Sequence, residues 1–388
     1  MRVLYHHRTR GRDVEGVHIR GIVHALRDLG HEVTVMSFPG ADPEQARQGQ
    51  GVAVRGSAAT AVSKMPGVVF EFSEIAYNLV TLFRIGRAIR RLRPQLIYER
   101  YSLFLWATVW MARRHGIPVV LEINDSALVE RVRPLRLKSL ARRVERWCFR
   151  RCTGLVFISS HFRQQAMEAY GGLSPSVVSP NAVDPERFDP GRYDRARLRG
   201  ERGLKGRTVC GFVGSFARWH GVDAFIDAIV GRLAEEPHLS LLLVGDGRML
   251  PVVRDRVAAC SLAERVVLPG RVDHDEIPVW IACMDYAVLP DSNHYGSPMK
   301  LFEFMAMGVA VVAPDYAPIK EVIADGRTGW LFPRKDTAAC VQRVLDLASR
   351  ADEREHAGAA ARDYILRERL WRNNAEQLLA LAAVKVGP

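Results

Sequence analysis

Residues 285–314 read DYAVLPDSNHYGSPMKLFEFMAMGVAVVAP, and this stretch decides the fold. Two short apolar runs, at 285–289 and 309–313, flank a polar loop and an apolar helical segment at 299–307. Short, uniformly apolar strands separated by amphipathic helices are typical of parallel sheets that are covered on both faces. The stretch therefore predicts a β-α-β unit with two parallel strands.

The same alternation of strand and helix continues in both directions from this unit. Near the start of the chain, 2–7 reads as a buried strand and 17–29 as a helix with one apolar face. The alternation starts afresh at 208–214, after a stretch rich in proline, glycine and charge. Two such series predict an α/β fold of two Rossmann-like, doubly wound domains.

Composition also places the domain boundaries. We expect a first domain over 1–185, a linker over 186–206 and a second domain over 207–365. The segment 366–388 is strongly helical. It either completes the second domain or crosses back to pack on the first, and periodicity does not decide between the two.

Charge is distributed unevenly along the 388 residues, whose formal net charge is +12. Residues 1–200 carry a net charge of +14, and residues 201–388 carry a net charge of −2. The segment 131–151 alone holds nine basic residues and one acid. A basic half indicates an anionic partner, which can be a nucleic acid, a membrane surface or a phosphorylated ligand.

Several classes of protein are excluded by composition. Hydrophobic residues make up 48% of the chain and charged residues 25%, as in soluble globular proteins. No apolar run reaches the ~18–20 residues that span a bilayer. The start of the chain lacks the apolar region of a secretory signal. The six cysteines are sparse, so we expect free thiols in a reducing compartment and a cytoplasmic protein.

The polar loop at 291–297 and the helix that follows it form the richest candidate site. Pro298 is predicted at the first helical position. Lys300 falls in the first turn, where the helix dipole disfavours a cation unless an anion binds there too. Glu303 lies among apolar residues and needs polar partners. The alternative is an ordinary surface pair of Lys300 with Glu303.

The loop after the first strand, HRTRGRDVEGVHIRG, offers a second candidate site. Its glycines, Gly11 and Gly16, precede a helix whose N-terminal N–H groups can bind a phosphate. Their spacing is not G-x-G-x-x-G, and the acid expected about 20 residues later is absent, so a dinucleotide site is not supported. An ordinary strand-to-helix turn is the alternative.

Taken together, the motifs resemble those of retaining glycosyltransferases of the GT-B fold, in family 4. The matching segments are, in order, ALRDLGHEVTV, PQLIYERYSLF, VVLEINDSAL, VVSPNAVDPERFDP, GFVGSFARWHGVDAFIDAI, LLLVGDG, VVLPGRVDHDEIP, SPMKLFEFMAMGVAVVAP and KEVIADGRTGWLF. They cover nearly the whole chain, and SPMKLFE resembles a bacterial subset that builds exopolysaccharide and lipopolysaccharide.

This resemblance implies two Rossmann-like domains that face each other across a cleft. The second domain is expected to bind a nucleotide-sugar donor, a UDP-sugar, and the first domain most of a hydroxyl acceptor. No metal or other cofactor is expected, because helix N-termini and basic side chains take the charge of the diphosphate.

The resemblance also assigns roles to individual residues. Glu303 stands at the second acid of the family's E-x7-E motif, which holds the ribose hydroxyls of the donor. Tyr295 stands where the family has the first acid, so the candidates for contacts to the sugar hydroxyls are Asn293, His294 and Tyr295 itself. Ser215 and His220 stand where the family usually has the arginine and the lysine that clamp the diphosphate.

Three residues are expected to serve the reaction itself. Lys300 and Arg218 are the replacements that we expect for the missing clamp. Asn124 aligns with a position near the reaction centre that is often a histidine. The further positions assigned to donor binding are Gly16, Val17, Val272, His294, Gly296, Ser297, Pro298, Met299 and Leu301.

The segment 138–151, KSLARRVERWCFRR, is predicted to form a basic amphipathic helix. Its basic face consists of Arg142, Arg143, Arg146 and Arg150. This face is either solvated or in contact with an anionic membrane or a lipid-linked acceptor. Nucleic acid is not expected, because aromatic residues are not interleaved with the basic ones and no nucleic-acid motif is present.

The sequence thus predicts a metal-independent, retaining hexosyl- or N-acetylhexosaminyl-transferase. Its acceptor is expected in polysaccharide, lipid-linked oligosaccharide or glycosylated-metabolite biosynthesis. Its expected location is the cytoplasm or the inner face of the plasma membrane. Two alternatives stay open: an enzyme like UDP-sugar 2-epimerase, and a non-catalytic binder of nucleotide sugars.

Overall fold

A computed structural model of the chain describes residues 1–9, 13–37, 41–43, 67–129, 134–260 and 263–383. Gly11, part of 131–151 and the last residues of 366–388 lie outside the described residues. Two compact units make up the chain: Met1–Pro180 with Trp371–Pro388, and Asn181–Leu370.

The first unit is built on a sheet of six parallel strands in the order β2-β1-β3-β4-β5-β6. The strands are Arg2–His6 (β1), Glu32–Met36 (β2), Leu96–Arg100 (β3), Val119–Ile123 (β4), Gly154–Phe157 (β5) and Ser176–Val178 (β6). On β1, the second strand from one edge, Tyr5 pairs with Val35 on one side and Tyr98 on the other. The strands are short and buried because helices connect and cover them.

The helices of the first unit alternate with these strands. They are Asp13–Asp28 (α1), Gly67–Leu92 (α2), Ala107–Arg114 (α3), Lys138–Arg151 (α4) and Ser160–Tyr170 (α5). α1 buries Ile19, Val23 and Leu26, which recur at helical spacing. α2 begins at Gly67, although the β-branched and aromatic residues of 67–73 are more typical of a strand.

The second unit contains another sheet of six parallel strands, in the order β12-β11-β10-β7-β8-β9. The strands are Thr208–Val213 (β7), Leu239–Val244 (β8), Val266–Gly270 (β9), Tyr286–Val288 (β10), Val311–Pro314 (β11) and Gly329–Phe332 (β12). The chain adds β8 and β9 on one side of β7, and then β10, β11 and β12 on the other. β7 and β10 therefore flank the point at which the strand order reverses.

The helices of the second unit are Arg195–Glu201 (α6), Val222–Ile229 (α7), Leu250–Ala258 (α8), Ile277–Ile281 (α9), Met299–Ala306 (α10), Ala317–Lys320 (α11), Thr337–Ala348 (α12) and Ala351–Glu368 (α13). α6 falls within 186–206, which composition predicts as a linker. Here it packs in the second unit, because Arg199 and Arg195 form ion pairs with Asp285 at 2.5 and 2.6 Å.

The last helix, Trp371–Ala383 (α14), packs in the first unit, against α1 and strands β4 to β6. Two glycines allow the helix to approach this closely. A Cβ atom on Gly21 would lie 2.4 Å from the Trp371 ring, and one on Gly154 would lie 2.4 Å from Leu381. The Trp371 and His18 rings also meet edge to face at 4.8 Å. The segment that closes the chain therefore belongs to the fold of the first unit.

Both units confirm the predicted α/β class, with two Rossmann-like domains that are each doubly wound around a parallel sheet. Ligands of such sheets bind outside the carboxyl ends of the strands, where the strand order reverses. A ligand-binding site is therefore expected at the carboxyl edge of each sheet.

Candidate functional site

In the second unit, two loops leave the sheet side by side at the reversal between β7 and β10. The loop after β7 ends in a short 3-10 turn, Arg218–His220, and the loop after β10 leads into α10. The N–H of Asp291 donates to the carbonyl of His220 at 3.0 Å and ties the two loops together. This edge contains most of the residues predicted to bind the donor.

Two glycines allow the loops at this edge to lie close together. Gly214 ends β7 with a φ of +151°, and a Cβ atom there would lie 2.4 Å from Nζ of Lys300. Gly245, after β8, has a φ of +140°, and its Cβ atom would lie 1.8 Å from the carbonyl oxygen of Gly214. A side chain at either position would be strained and would displace its neighbour.

The loop from Pro290 to Pro298 is held by side-chain hydrogen bonds to its backbone. Asn181 donates from its N–H to Oγ of Ser297 at 3.1 Å and from its amide to the Ser297 carbonyl at 2.5 Å. The amide oxygen of Asn293 accepts from Tyr295 N at 3.3 Å and from Gly296 N at 2.5 Å. The matching segment VVSPNAVDPERFDP thus anchors this loop through Asn181.

The helix α10 begins at the end of this loop. Pro298 occupies the N-cap position with a φ of −69° and a ψ of 115°, so Met299, and not Pro298 as predicted, is the first helical residue. The N–H groups of Met299 and Lys300 precede the helical hydrogen-bond ladder. Leu301 differs from its predicted donor-binding role, because its side chain is fully buried and its N–H donates to the Pro298 carbonyl.

Lys300 and His220 form the central contact of this edge. Nδ1 of His220 lies 2.5 Å from the carbonyl oxygen of Ser215, which can only accept, so Nδ1 carries the proton. Nε2 of the neutral ring is then an acceptor, and it lies 3.1 Å from Nζ of Lys300. The ammonium group also lies 4.8 Å from the centre of the Phe212 ring. His220 therefore positions Lys300 without neutralising its charge.

Burial shifts the protonation of both groups. Desolvation and the neighbouring Lys300 lower the pKa of His220 to about 3, so the imidazole is neutral at physiological pH. Desolvation lowers the pKa of Lys300 to about 7, although Glu303 opposes that shift. A cation that is held in this way gains stability when an anion binds beside it.

Glu303 is buried and has a partner that sequence reasoning missed. Its carboxylate lies 3.0 Å from Nε2 of His274, which stands in the 3-10 turn after β9. Arg187 contacts the other ring nitrogen of His274 at 2.6 Å and the carboxylate of Asp275 at 3.2 Å. The predicted alternative, a surface pair of Glu303 with Lys300, is not what the structure contains. The histidine of the segment PGRVDHDEIP was the signal in the sequence that could have indicated this partner.

The other residues predicted for this site lie around the same loops with varied exposure. Ser215 and Arg218 are exposed and follow β7. His294 is exposed, and its ring meets that of Tyr295 edge to face at 5.3 Å. Val272 follows β9 and is half-buried against the core. The structure thus brings the donor-binding candidates of the second unit to one edge.

The carboxyl edge of the first sheet holds a buried ion-pair network around Glu122. Arg100 and His18 contact the same carboxylate oxygen at 2.8 and 2.9 Å, and the hydroxyl of Tyr98 donates to the other oxygen at 2.9 Å. Asn124, predicted near the reaction centre, donates its amide to Glu122. Although burial alone would raise it, His18 and Arg100 lower the pKa of Glu122 to about 2.

Two further features complete this edge. His6 and Glu99 lie 2.5 Å apart with both side chains buried, at the ends of β1 and β3. Gly16 and Val17 lie within the first two turns of α1, because this helix begins at Asp13 and not after Gly16 as predicted.

The basic helix α4 has its predicted bounds and an ordinary amphipathic packing. Arg142, Arg143, Arg146 and Arg150 are all exposed, and Arg150 also bonds the carbonyl groups of Tyr170 and Gly171 at 2.5 and 3.1 Å. The single acid of the helix, Glu145, is fully buried, and burial raises its pKa to about 7. The exposed surface of α4 is therefore purely basic and polar apart from Leu140.

Among the described residues, no three or more His, Cys, Asp or Glu side chains are grouped so that they could hold a metal ion. Metal independence stays a prediction. In the same part of the chain, none of the helices has the length and apolar character that crossing a membrane requires.

Comparisons with known proteins agree with this architecture. The sequence profile described as Glycosyltransferase Family 4 matches residues 16–187, and the profile described as Glycosyl transferases group 1 matches residues 207–350. The structure of Anabaena HepE in complex with UDP aligns with a TM-score of 0.75 at 18% identity, over 98% of this chain and 99% of that one. A glycosyltransferase of Rickettsia africae aligns with a TM-score of 0.75 at 17% identity, over 98% and 97%. These likenesses show the same GT-B fold.

Curated relatives share the family at moderate identity. An alpha-D-kanosaminyltransferase of Streptomyces kanamyceticus is 27% identical over 250 residues, which cover 61% of this chain and 63% of that enzyme. The match thus spans less than two thirds of this relative. A 2-deoxystreptamine N-acetyl-D-glucosaminyltransferase of Streptomyces fradiae is 27% identical over 361 residues, 89% of this chain and 85% of that enzyme. The chain belongs to the glycosyltransferases, with a family 4 domain followed by a group 1 domain.

Proposed function

We propose that this protein is a retaining glycosyltransferase that moves a sugar from a nucleotide-sugar donor to a hydroxyl acceptor. The observation that carries the proposal is Lys300, a desolvated cation beside the N-terminus of α10, at the point where the strand order reverses. Its direct partner is the neutral His220, so the positive charge is available to the diphosphate of a donor.

The chemistry follows from where charge develops. As the glycosidic bond breaks, its electron pair stays with the leaving diphosphate, and the sugar becomes oxocarbenium-like. Lys300, the exposed Arg218 and the N–H groups at the start of α10 would stabilise the leaving group. The acceptor hydroxyl then bonds to the sugar on the same face and gives its proton to the departing phosphate. Configuration is retained, and no base from the protein is required.

The proposed donor is a UDP-sugar, and the proposed reaction needs no metal. HepE of Anabaena, which shares the fold, is described in complex with UDP-glucose. A relative from Mycolicibacterium smegmatis, 28% identical over 235 residues, is described as GDP-mannose-dependent. GDP-sugars are therefore the first alternative donors to test. Glu303, held by His274, is the residue that we propose for the ribose hydroxyls.

For the acceptor we propose a hydroxyl of a polysaccharide, a lipid-linked oligosaccharide or a glycosylated metabolite. The relatives support more than one of these classes. The two Streptomyces proteins are named as an alpha-D-kanosaminyltransferase and a 2-deoxystreptamine N-acetyl-D-glucosaminyltransferase. A Rhizobium meliloti relative is named as a mannosyltransferase of lipopolysaccharide core biosynthesis.

A panel of UDP-, GDP-, ADP- and TDP-sugars tests the proposal. The expected result is release of UDP from one or a few UDP-sugars, slowly to water and faster with an acceptor. Conversion of the sugar without release of UDP would show the epimerase-like alternative. A thermal shift without turnover, over the whole panel and with candidate acceptors of each class, would show the non-catalytic binder.

A further inference from the structure

Helix α2, Gly67–Leu92, buries several polar residues and exposes several large apolar ones, which is not expected of a helix that only covers a sheet. Its buried residues include Glu71, Asn78 and Thr81. Six of its exposed side chains are large and apolar: Val68 at 40% exposure, Val69 at 50%, Phe72 at 58%, Leu79 at 71%, Val80 at 47% and Phe83 at 70%. We call this set the α2 stripe.

The orientation of α2 is fixed by two polar side chains. The amide oxygen of Asn78 accepts from Trp106 N and Ala107 N, both at 3.0 Å, and so caps the start of α3. The carboxylate of Glu71 accepts from Arg136 N and Leu137 N, both at 2.7 Å, and so caps the start of α4. Turning the helix to bury the stripe would break both caps. The hydrogen bonds of the fold therefore keep the stripe exposed.

The exposed charged residues of α2 itself all have one sign. Beyond Phe83, the exposed residues of α2 are Arg87, Arg90 and Arg91, which continue the same face at ~100° per residue. The two acids of the helix are engaged, Glu71 in its cap and Glu74 in an ion pair with Arg8 at 2.8 Å. The exposed face of α2 therefore combines apolar residues with arginine and contains no acid.

Basic residues also lie at the other end of the stripe. Cγ of Arg136 lies 3.8 Å from the position of a Cβ atom on Gly67. The first turn of α4 exposes Lys138 and Leu140. Cationic groups thus stand at both ends of an apolar strip about 22 Å long, at 1.5 Å per residue.

From this arrangement we infer that the α2 stripe docks the protein on an anionic lipid surface. A one-sided apolar helix with flanking arginines is the pattern of helices that lie in the plane of a membrane interface. The valine, leucine and phenylalanine side chains enter the acyl boundary, and the arginines pair with anionic headgroups. This inference concerns the first unit alone and goes beyond the proposed donor chemistry.

A second copy of the chain fits this surface less well. Self-association through the stripe would desolvate the arginine clusters of both copies, and the exposed face of α2 offers no acid to pair with them. An anionic lipid surface supplies the missing negative charge and needs no matching shape.

Flotation of the full-length protein with lipid vesicles tests the inference. Wild type is expected to float with phosphatidylcholine vesicles that contain about 30% phosphatidylglycerol, and far less with phosphatidylcholine alone. The variant F72S/L79S/F83S is expected to lose about tenfold or more in partition, because these side chains supply most of the inserted apolar surface. R87Q/R90Q/R91Q is expected to lose the preference for phosphatidylglycerol.

The matched control is M167S/V252S/L366S, which removes three exposed apolar side chains from other helices and is expected to float like wild type. Circular dichroism checks that all variants are folded. Wild-type flotation by F72S/L79S/F83S would overturn the inference. So would loss of flotation in R142Q/R143Q/R146Q alone, which would place docking on α4. A dimer in size-exclusion chromatography that F72S/L79S/F83S dissociates, without vesicle binding, would instead assign the stripe to a second copy. None of these outcomes depends on the donor panel.

Discussion

The two sheets carry titratable groups at equivalent edges, and they treat the charge of those groups differently. At the edge of the first sheet, the carboxylate of Glu122 contacts Arg100 and His18, so its charge has partners inside the fold. At the edge of the second sheet, the direct partner of Lys300 is an imidazole whose pKa is lowered to about 3. The carboxylate of Glu122 is paired without a ligand, whereas the ammonium group of Lys300 is available to pair with an anionic ligand.

This difference assigns the two networks to different tasks. A compensated, buried ion pair contributes to the fold, and removing one partner leaves the other as an uncompensated charge. Burying a lysine ammonium group without a counterion lowers the stability of the folded protein. This loss is offset only when an anion binds beside the ammonium group. Substitutions at Glu122 should therefore change stability first, and substitutions at Lys300 should change turnover first.

The largest expected effect is that of Glu122→Gln on stability. The variant should lose about 3–5 kcal/mol of unfolding free energy in the first unit, because Arg100 and His18 stay buried without their partner. Urea unfolding followed by tryptophan fluorescence measures the loss. Glu32→Gln, at an exposed position of the same sheet, is the control and should change little.

The dependence of this effect on pH has a definite sign. The pKa of Glu122 is about 2 in the folded protein, below its ordinary value of 4.5. Its contribution is therefore complete above about pH 4.5 and is lost as the pH falls toward 2. Equal stability of wild type and Glu122→Gln near neutral pH would contradict the structural role of this network.

The second effect is that of Lys300→Ala on turnover. Loss of the cation beside the leaving diphosphate should raise the barrier by about 2.7–4 kcal/mol, which lowers kcat/KM about a hundredfold or more. Steady-state release of the nucleoside diphosphate measures it, with circular dichroism as the check that the fold is retained. Lys320→Ala, at an exposed lysine of the same unit, is the matched control. Near-normal turnover in Lys300→Ala would remove Lys300 from the site.

A smaller effect is expected from His220→Ala, because His220 acts through Lys300. We expect kcat/KM to fall about tenfold or somewhat more, since a hydrogen bond to a charged group contributes roughly 1.5–3 kcal/mol and the lower end applies where the bond acts indirectly. The alkaline limb of the pH profile should move to lower pH, because the ammonium form of Lys300 loses an acceptor. His220→Gln should recover part of the activity. An unchanged pH profile in His220→Ala would show that the imidazole does not position Lys300.

Sequence reasoning predicts the fold and much of the second edge because both depend on local patterns. Strand and helix periods give the two sheets, and the misplaced cation in SPMKLFE points to Lys300. The same reasoning does not identify His274 as the partner of Glu303, since His274 comes from a different loop and nothing local links the two. The division of the chain after Leu370 is equally hidden, because it depends on Gly21 and its distant contact with Trp371.

The α2 stripe shows the same limit from another side. Residues 67–73 combine valine and phenylalanine, and their composition favours a strand or a buried surface. They form an exposed helix because Asn78 and Glu71 satisfy the backbone at the starts of two other helices. A pattern of apolar residues indicates a face, and long-range caps decide whether that face is inside.

Calorimetry of nucleoside diphosphate binding tests the central claim, the availability of Lys300 for an anion, most directly. At pH 8 the diphosphate is fully ionised, and Lys300, with its pKa of about 7, is mostly neutral. Binding should therefore take up close to one proton, seen as a difference in heat between two buffers. Lys300→Ala should take up none, and its preference for the diphosphate over the nucleoside should be weaker, because only Arg218 and the N–H groups of α10 are left to bind the diphosphate. Equal proton uptake and equal preference in wild type and variant would contradict the account.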